Sequence, residues 1–442
     1  MAAKIEKTII EPLDAPFDGS TRVQGDKSIS HRAVLFSAMA EGTSRVSGVL
    51  DNEDVRSTIE AIQELGASVS LEKQLDGSLA GGITGWGKEG PTQPKNPINC
   101  GNSGTTARLL MGALAPWPIT VTITGDDSLC KRPMRRITAP LMKMGVHFDP
   151  AGAETLPITE TGDEKLKAIV YDAPMSSAQL KTAVLLAGLG AKGTTTLNEP
   201  SPSRNHTELM LPEYGVTTTA AERTASVKGP FTLQACEVQV PGDPSSAAFF
   251  ICAALLKPGS SIQVEDVSLN TARIGFVRTL ERMGADITIS REGQAGKEPY
   301  GIISACYTPS LRGCEIPADK IPSIVDEVPV LSLVAAHAHG ITVFRQVSGL
   351  RLKETDRIAA IMEGLGVLGV DSWMDGDDLF IEGQPGLLIP EGTELDAKKD
   401  HRMAMTWALA GLCGKEPITV TNFDSVKVDL PNFLESLARM TR

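Results

Sequence analysis

The chain has 442 residues, a formal net charge of −12, a pI near 5.1 and only 4 % aromatic residues. Its length exceeds what one hydrophobic core usually organises, so two domains are expected. The acidity excludes non-specific nucleic-acid binding, which needs basic surface to displace phosphate counterions. It leaves small anions open, because a cationic cluster in a cleft gains strength where the dielectric falls.

In chain order, the opening MAAKIEKTIIEP has no apolar core of signal-peptide length, and the longest apolar stretch, Ala247 to Leu256, is about half a membrane span. Seven cysteines are scattered, odd in number and never spaced C-x-x-C, so neither a disulfide framework nor a zinc site is supported. A soluble cytoplasmic protein is expected. The polar stretches 85–97 and 291–301 read as loops, and Val240-Pro241-Gly242-Asp243-Pro244 as a domain boundary.

One phrase recurs: an amphipathic run ends in Leu/Met/Tyr-Gly-Ala/Val and passes into β-branched residues. The glycines are Gly66, Gly145, Gly215, Gly284 and Gly369, spaced by 79, 70, 69 and 85 residues. Each stands where a helix stops, at a left-handed position that glycine serves without a Cβ clash. The spacing suits a βαβαββ unit better than a solenoid repeat, with three units per half. Leu75-Asp76-Gly77 and Asp375-Gly376-Asp377 read as hairpin turns, and 433–440 as the helix of a sixth unit cut short.

Between the repeats lie segments rich in cations, hydroxyls and glycines at predicted helix starts. Gly25-Asp26-Lys27-Ser28-Ile29-Ser30-His31-Arg32 places an ammonium, a hydroxyl and free N–H groups at the positive end of a helix dipole. Asp26 stands where a phosphate-loop NTPase needs glycine. Asn99 to Arg108 carries Gly101 and Gly104 among hydroxyls, a composition suited to an anion nest. Lys131-Arg132-Pro133-Met134-Arg135-Arg136 packs four cations into six positions, with Pro133 read as a first helical residue that leaves Arg132 just outside. Met175 to Lys181 and Ser203 to Thr207 follow, then Ser323 to Glu327, Leu350 to Arg357 and Asp400 to Met405. For each alone, a capped helix or a solvated charged turn is the competing reading.

Together, GDKSISHR, CGNSGTTARL, KRPMRR, MSSAQLK, SRNHTE, PGDPSSAAFF, SIVDE, LRLKETDR and DHRMAM stand in the order found in 5-enolpyruvylshikimate-3-phosphate (EPSP) synthases and span almost the whole chain. SAQ with SRNHTE resembles the bacterial class II branch. The resemblance implies an α/β fold of two domains, each three βαβαββ units about a pseudo-threefold axis, with the active site in the cleft between them. Residues 1–24 and 244–442 would form one domain and 25–243 the other. By the same resemblance, Lys27, Ser28, Arg32, Ser177, Arg204, Asp326 and Lys353 hold shikimate 3-phosphate, and Lys27, Gly104, Arg132, Gln179, Arg357 and Arg402 hold phosphoenolpyruvate. Asp326 and Glu354 handle protons, and Lys27 assists phosphate departure. Ala178 replaces a serine of some members, which removes one phosphate hydrogen bond, and Lys427 is left unassigned.

The implied reaction moves the enolpyruvyl group of phosphoenolpyruvate to the 5-hydroxyl of shikimate 3-phosphate by addition and elimination, with no cofactor or metal. Glyphosate would occupy the phosphoenolpyruvate place, beside space left by Gly104. The two substrates bring about five or six negative charges, and a pair ~4 Å apart interacts by about 4 kcal/mol at an effective dielectric near 20. Lys27, Arg32, Arg132, Lys353, Arg357 and Arg402 supply a matching number of cations. The alternatives are a UDP-N-acetylglucosamine enolpyruvyl transferase, an RNA 3′-phosphate cyclase built on similar units, and a non-catalytic anion-binding protein. Partners are expected to be these small molecules, without nucleic acid or membrane, acting on a monomer.

Overall fold

The structure, a computed structural model, describes residues 6–152, 154–428, 430 and 432–441. The segment read for a leader is therefore described only from Glu6, and Pro431, against which Lys427 was placed, lies outside the described residues. Among the described residues no helix is long and apolar enough to cross a membrane.

The chain divides into two compact units. One runs from Gln24 to Pro241 and takes in Gln294–Glu298. The other holds the residues up to Val23, Gly242–Gly293 and those from Pro299 onward. Each has its own apolar core, one built from Ile29 to Val240 and the other from Ile10, Phe17 and residues between Ala247 and Met440.

Among the described residues, five of the six small sheets share one design: a first strand pairs parallel with a second, which pairs antiparallel with the second, inner strand of a hairpin. In the Gln24–Pro241 unit, Glu237–Gln239 lies parallel to Thr43–Val49, which meets the hairpin Ser68–Lys73/Leu79–Thr84. The next two sheets repeat this with Ile98–Asn99 beside Thr120–Thr124 and Val170–Asp172 beside Gly193–Asn198. In the other unit, Asp18–Arg22 lies parallel to Ser261–Ser268 and Glu315–Ile316 to Gly340–Phe344. The sixth sheet explains the unit that looked cut short: Glu394–Asp396 and Ile418–Thr421 are completed by Lys7–Ile10 from the start of the chain.

The glycine repeat has a physical basis. Gly66, Gly145, Gly215, Gly284 and Gly369 all have φ between 79° and 119°. The N–H of the following residue donates five residues back: Ala67 to Ile62, Val146 to Leu141, Val216 to Leu211, Ala285 to Leu280 and Val370 to Leu365. This is the six-to-one bond of a Schellman stop, and it releases the chain into the hairpin strand that follows.

Two kinds of helix result. Glu53–Glu64 buries only Val55, Thr58, Ala61 and Ile62, the stripe expected of a helix lying on a surface. By contrast Pro244–Leu256 and Val328–Ala336 are buried at every position. Uniformly apolar runs have no face to offer water, so they pack at the centre with sheets around them. The helices Lys27–Met39, Gly104–Leu114 and Ala178–Gly188 fill that role in one unit, the middle one packing on both others, and Pro244–Leu256, Val328–Ala336 and His401–Cys413, packed mutually, fill it in the other.

Two local expectations are corrected. Residues 291–301 are not a loop: they belong to a hairpin of Asp286–Ala295 and Glu298–Cys306, whose exposed strand carries polar side chains on both faces and so shows no alternation. Pro133 is not the first helical residue either. The helix begins at Arg135, and the Met134 N–H is held by the Glu154 carbonyl at 2.6 Å.

One buried charge has no evident structural use. Glu160, on the strand Ile158–Thr161, is 1 % exposed, and neither carboxyl oxygen has a hydrogen-bond partner. Burial pushes its pKa well above the ordinary value. A raised carboxyl means the native state binds its proton more tightly than the unfolded chain. Its contribution is complete below the unfolded carboxyl range, near ~4.3, and is lost as pH rises through the native value. Glu160→Gln should therefore melt at a temperature that gains on the parent protein as pH rises from 5 to 9. A constant difference across that range would show that Glu160 does not titrate differently on folding.

Candidate active site

In the Gln24–Pro241 unit, the starts of the three central helices are tied together. Asp26 caps Lys27–Met39 by accepting from the Ile29 N–H at 2.9 Å, Ser103 caps Gly104–Leu114, and Ser177 caps Ala178–Gly188. Gln179 bridges two of them, its Nε2 donating to Thr105 Oγ1 at 2.9 Å while its Oε1 accepts from Arg108 at 2.9 Å and Arg136 at 3.2 Å. Arg32 joins the third, donating to Thr182 at 2.7 Å and Thr207 at 2.8 Å. The positive ends of three helix dipoles thus share one pole.

Around this pole the cations are short of carboxylates. Arg108 donates to Gln179 and the Pro133 carbonyl, Arg136 to Gln179, and Arg132 to Asn102 and Ser128. Among the described residues none of the three has an acidic partner. Burial, with Arg136 and Arg132 adding repulsion, lowers the Arg108 pKa to about 9, and burial lowers that of Arg136. Gly104 faces the same group: a Cβ there would lie 2.8 Å from Arg108 Nη1 and 3.5 Å from Arg132 Nη1. The space beside Gly104 is therefore bounded by guanidinium, which refines the expectation that glycine leaves room for a ligand.

The other residues expected here occupy distinct levels. Lys27 opens its helix with Nζ 3.4 Å from Asp54, and the Ser28 carbonyl accepts from Arg32. Arg32 is only 2 % exposed, and burial lowers its pKa to about 10 despite nearby Glu208 and Asp26. It lies beneath the pole rather than on its surface, with Arg204 close enough to depress it further. The Ser177 N–H donates to Glu199, and Lys181 below it is locked between Glu199 at 3.0 Å and Glu208 at 2.8 Å. His31, bonded to Thr58, is held neutral with a pKa of about 3 by burial and by Lys27 and Arg32.

In the other unit the balance is reversed. Arg357, 1 % exposed, is embraced by Asp400 at 2.7 Å, Glu354 at 2.7 Å and Asp326 at 3.3 Å. Burial opposes its charge, but these carboxylates together raise its pKa. Lys353 reaches Asp326 at 3.3 Å. Burial alone would raise the Glu354 pKa, but Arg357, His401 and Lys353 outweigh it and hold the carboxyl well below its ordinary range. Asp400 also caps His401–Cys413 by accepting from the Arg402 N–H at 2.9 Å, which seats Arg402 in the first turn. A second buried cluster joins Arg273 to Asp243 at 2.7 Å and Ser245, and Ser245 to Glu327.

The structure thus groups Lys27, Ser28, Arg32, Gly104, Arg132, Ser177, Gln179 and Arg204 within one unit, and Asp326, Lys353, Glu354, Arg357 and Arg402 within the other. Sequence reading missed Arg108, Arg136 and Asp400 as parts of these groups. Their signal was present in TTAR, KRPMRR and DHRMAM, but partners 71, 43 and 43 residues away are invisible along the chain.

Two units of repeated β-α-β elements, each gathering polar groups at buried helix starts, define a two-domain enolpyruvyl transferase fold. The structure of the enolpyruvyl transferase NikO from Streptomyces tendae shares it, with a TM-score of 0.77 over 99 % of this chain and 98 % of that one at 19 % identity. The profile of the family EPSP synthase (3-phosphoshikimate 1-carboxyvinyltransferase) matches residues 13–437. A 3-phosphoshikimate 1-carboxyvinyltransferase of Coxiella burnetii is 43 % identical over 94 % of this chain and 93 % of its own, and one of Oceanobacillus iheyensis is 42 % identical over 97 % and 98 %. The EPSP synthase structure from Acinetobacter baumannii superposes with a TM-score of 0.88 at 40 % identity, covering 98 % of both chains. The chain belongs to the EPSP synthase family, a family of carboxyvinyl transferases.

An under-neutralised guanidinium group should be stabilised by anions. Inorganic phosphate at about one hundred times its dissociation constant should add about 2.7 kcal/mol to the protein's stability. Arg132→Ala should remove most of that gain while leaving the phosphate-free protein no less stable, as a thermal-shift titration would show. An undiminished phosphate effect in the variant would separate Arg132 from anion binding.

Proposed function

We propose that this chain transfers the enolpyruvyl group of phosphoenolpyruvate to the 5-hydroxyl of shikimate 3-phosphate, releasing phosphate. The observation that carries this reading is the contrast between the two half-sites: guanidinium without carboxylate in one, and a guanidinium–carboxylate network in the other. The two units would serve as the domains of one enzyme acting on a shared pair of substrates. In this reading Lys27, Ser28, Arg32, Ser177, Arg204, Asp326 and Lys353 hold shikimate 3-phosphate, with Arg32 acting from below through Thr182 and Thr207. Lys27, Gly104, Arg132, Gln179, Arg357 and Arg402 hold phosphoenolpyruvate, and Arg108 supports Gln179.

In the addition step, Asp326 takes the proton of the 5-hydroxyl as its oxygen attacks C2, and the C2–C3 π electrons take a proton from Glu354. In the elimination step, Glu354 removes a C3 proton, the C2–O bond to phosphate breaks, and the C2–C3 double bond re-forms. Lys27 and the arginines stabilise the charge on the departing phosphate. Glu354 is ionised in the ligand-free protein because Arg357 holds it. An anion docking on Arg357 would compete for that guanidinium and let the Glu354 pKa rise toward protonation. SAQ and SRNHTE support the class II reading, and seven scattered free thiols support a reducing cytoplasm.

Purified protein mixed with both substrates should release phosphate and form the enolpyruvyl ether, whereas UDP-N-acetylglucosamine should not replace the acceptor. Glu354→Gln should lower kcat by about 10²-fold or more with both substrates still bound; full turnover would remove its proton role. Glyphosate should inhibit, and Gly104→Ala, by pressing a methyl on the Arg108 and Arg132 guanidiniums, should relieve that inhibition. Unchanged inhibition in Gly104→Ala would place glyphosate elsewhere.

A further inference from the structure

The three central helices of the Gln24–Pro241 unit that start at the cationic pole all end at the opposite pole, around a cavity of about 410 Å³. That volume lies in the range of small-molecule sites. Each repeat closes its helix in the same way. A Cβ added at Gly85, Gly162 or Gly229 would collide with three carbonyl oxygens at the end of Lys27–Met39, Gly104–Leu114 or Ala178–Gly188 respectively. Only glycine lets the chain cross so closely. A residue just after each glycine then donates its N–H to the helix end: Trp86 to Ala38 at 2.8 Å, Asp163 to Ala115 at 2.9 Å and Phe231 to Leu189 at 2.8 Å.

The repeat therefore sets Trp86, Phe231 and, after Asp163, Glu164 around one cavity, with Trp117 and Glu89 completing the wall. Two of the four tryptophans of a chain poor in aromatics meet here. Among the described residues, no lysine, arginine or histidine lines the cavity. Lys88, next to Glu89, is drawn instead to Glu41 at 3.6 Å. Three helices end beside the cavity with the negative poles of their dipoles, two exposed carboxylates stand at the wall, and three aromatic side chains line it. All three terms favour a cation, and the apolar walls favour one with a hydrocarbon body.

We infer that this cavity is a binding site for a small hydrophobic ammonium ion, separate from the anion pole and reached without it. Phenyltrimethylammonium titrated into the full-length protein by calorimetry should bind saturably, at one site, with a dissociation constant in the millimolar range or below. Benzyl alcohol and benzoate should bind at least ~5-fold more weakly, since the first lacks the charge and the second reverses it. The double variant Glu89→Gln/Glu164→Gln, altered at exposed positions that leave the fold intact, should weaken the cation by ~5- to 10-fold. Trp117→Leu should weaken it similarly, and quenching of tryptophan fluorescence should report the same constant. Absence of saturation by ~20 mM, equal affinity for benzyl alcohol, or unchanged affinity in the double variant would overturn the proposal. No readout involves turnover, so this site and the proposed reaction stand or fall separately.

Discussion

Positive charge without a local counter-charge is the constraint on which the account turns. Arg108, Arg132 and Arg136 gather at one pole with hydrogen bonds to amides, carbonyls and a hydroxyl, but among the described residues none meets a carboxylate. Burial of Arg108, to which repulsion from Arg136 and Arg132 adds, lowers its pKa, so holding these guanidinium groups together carries an electrostatic cost. A chain carrying twelve excess negative charges has carboxylates to spare. Their absence here is a local feature of the design, and an arriving anion is what would complete it.

The fold explains how such a pole is built. Apolar helices buried along most of their length hold the centre, so their first turns present the caps, cations and hydroxyls that the interior refuses. Because three helices of one unit run the same way, their dipoles add at both ends. One pole gathers Lys27, Gln179 and the arginines, while the other gathers Trp86, Trp117, Phe231 and two glutamates. The Arg357 network in the second unit uses the same scaffold for another purpose. There Asp326, Glu354 and Asp400 neutralise the guanidinium, and the proposed reaction assigns the first two to proton movement.

What could be read along the chain depended on whether the cause was local. The Schellman glycines at 66, 145, 215, 284 and 369 were legible because a left-handed residue at a helix end leaves a signature in neighbouring positions. Helix starts near Lys27, Gly104, Ala178 and His401 were legible for the same reason, although the caps Asp26 and Asp400 were not singled out. The completion of the sixth sheet by Lys7–Ile10 was not, since its partner Ile418–Thr421 is some four hundred residues away. Nor was the hairpin at Asp286–Ala295, whose exposed strand lacks apolar alternation, nor the burial of Glu160, where a charged residue sits at an inward position of its strand. Most candidate site residues came through the order of motifs resembling a family; their grouping into a cation-rich pole and a balanced network required coordinates.

A crystal structure with shikimate 3-phosphate and a non-reactive phosphoenolpyruvate analogue bears most directly on the central claim. The account predicts anionic ligand oxygens within about 2.7–3.2 Å of the Arg132 guanidinium and the Lys27 ammonium, with Arg108 still bonded to Gln179 behind them. Both ligands bound away from that pole, with Arg132 and Arg136 facing only solvent, would contradict it.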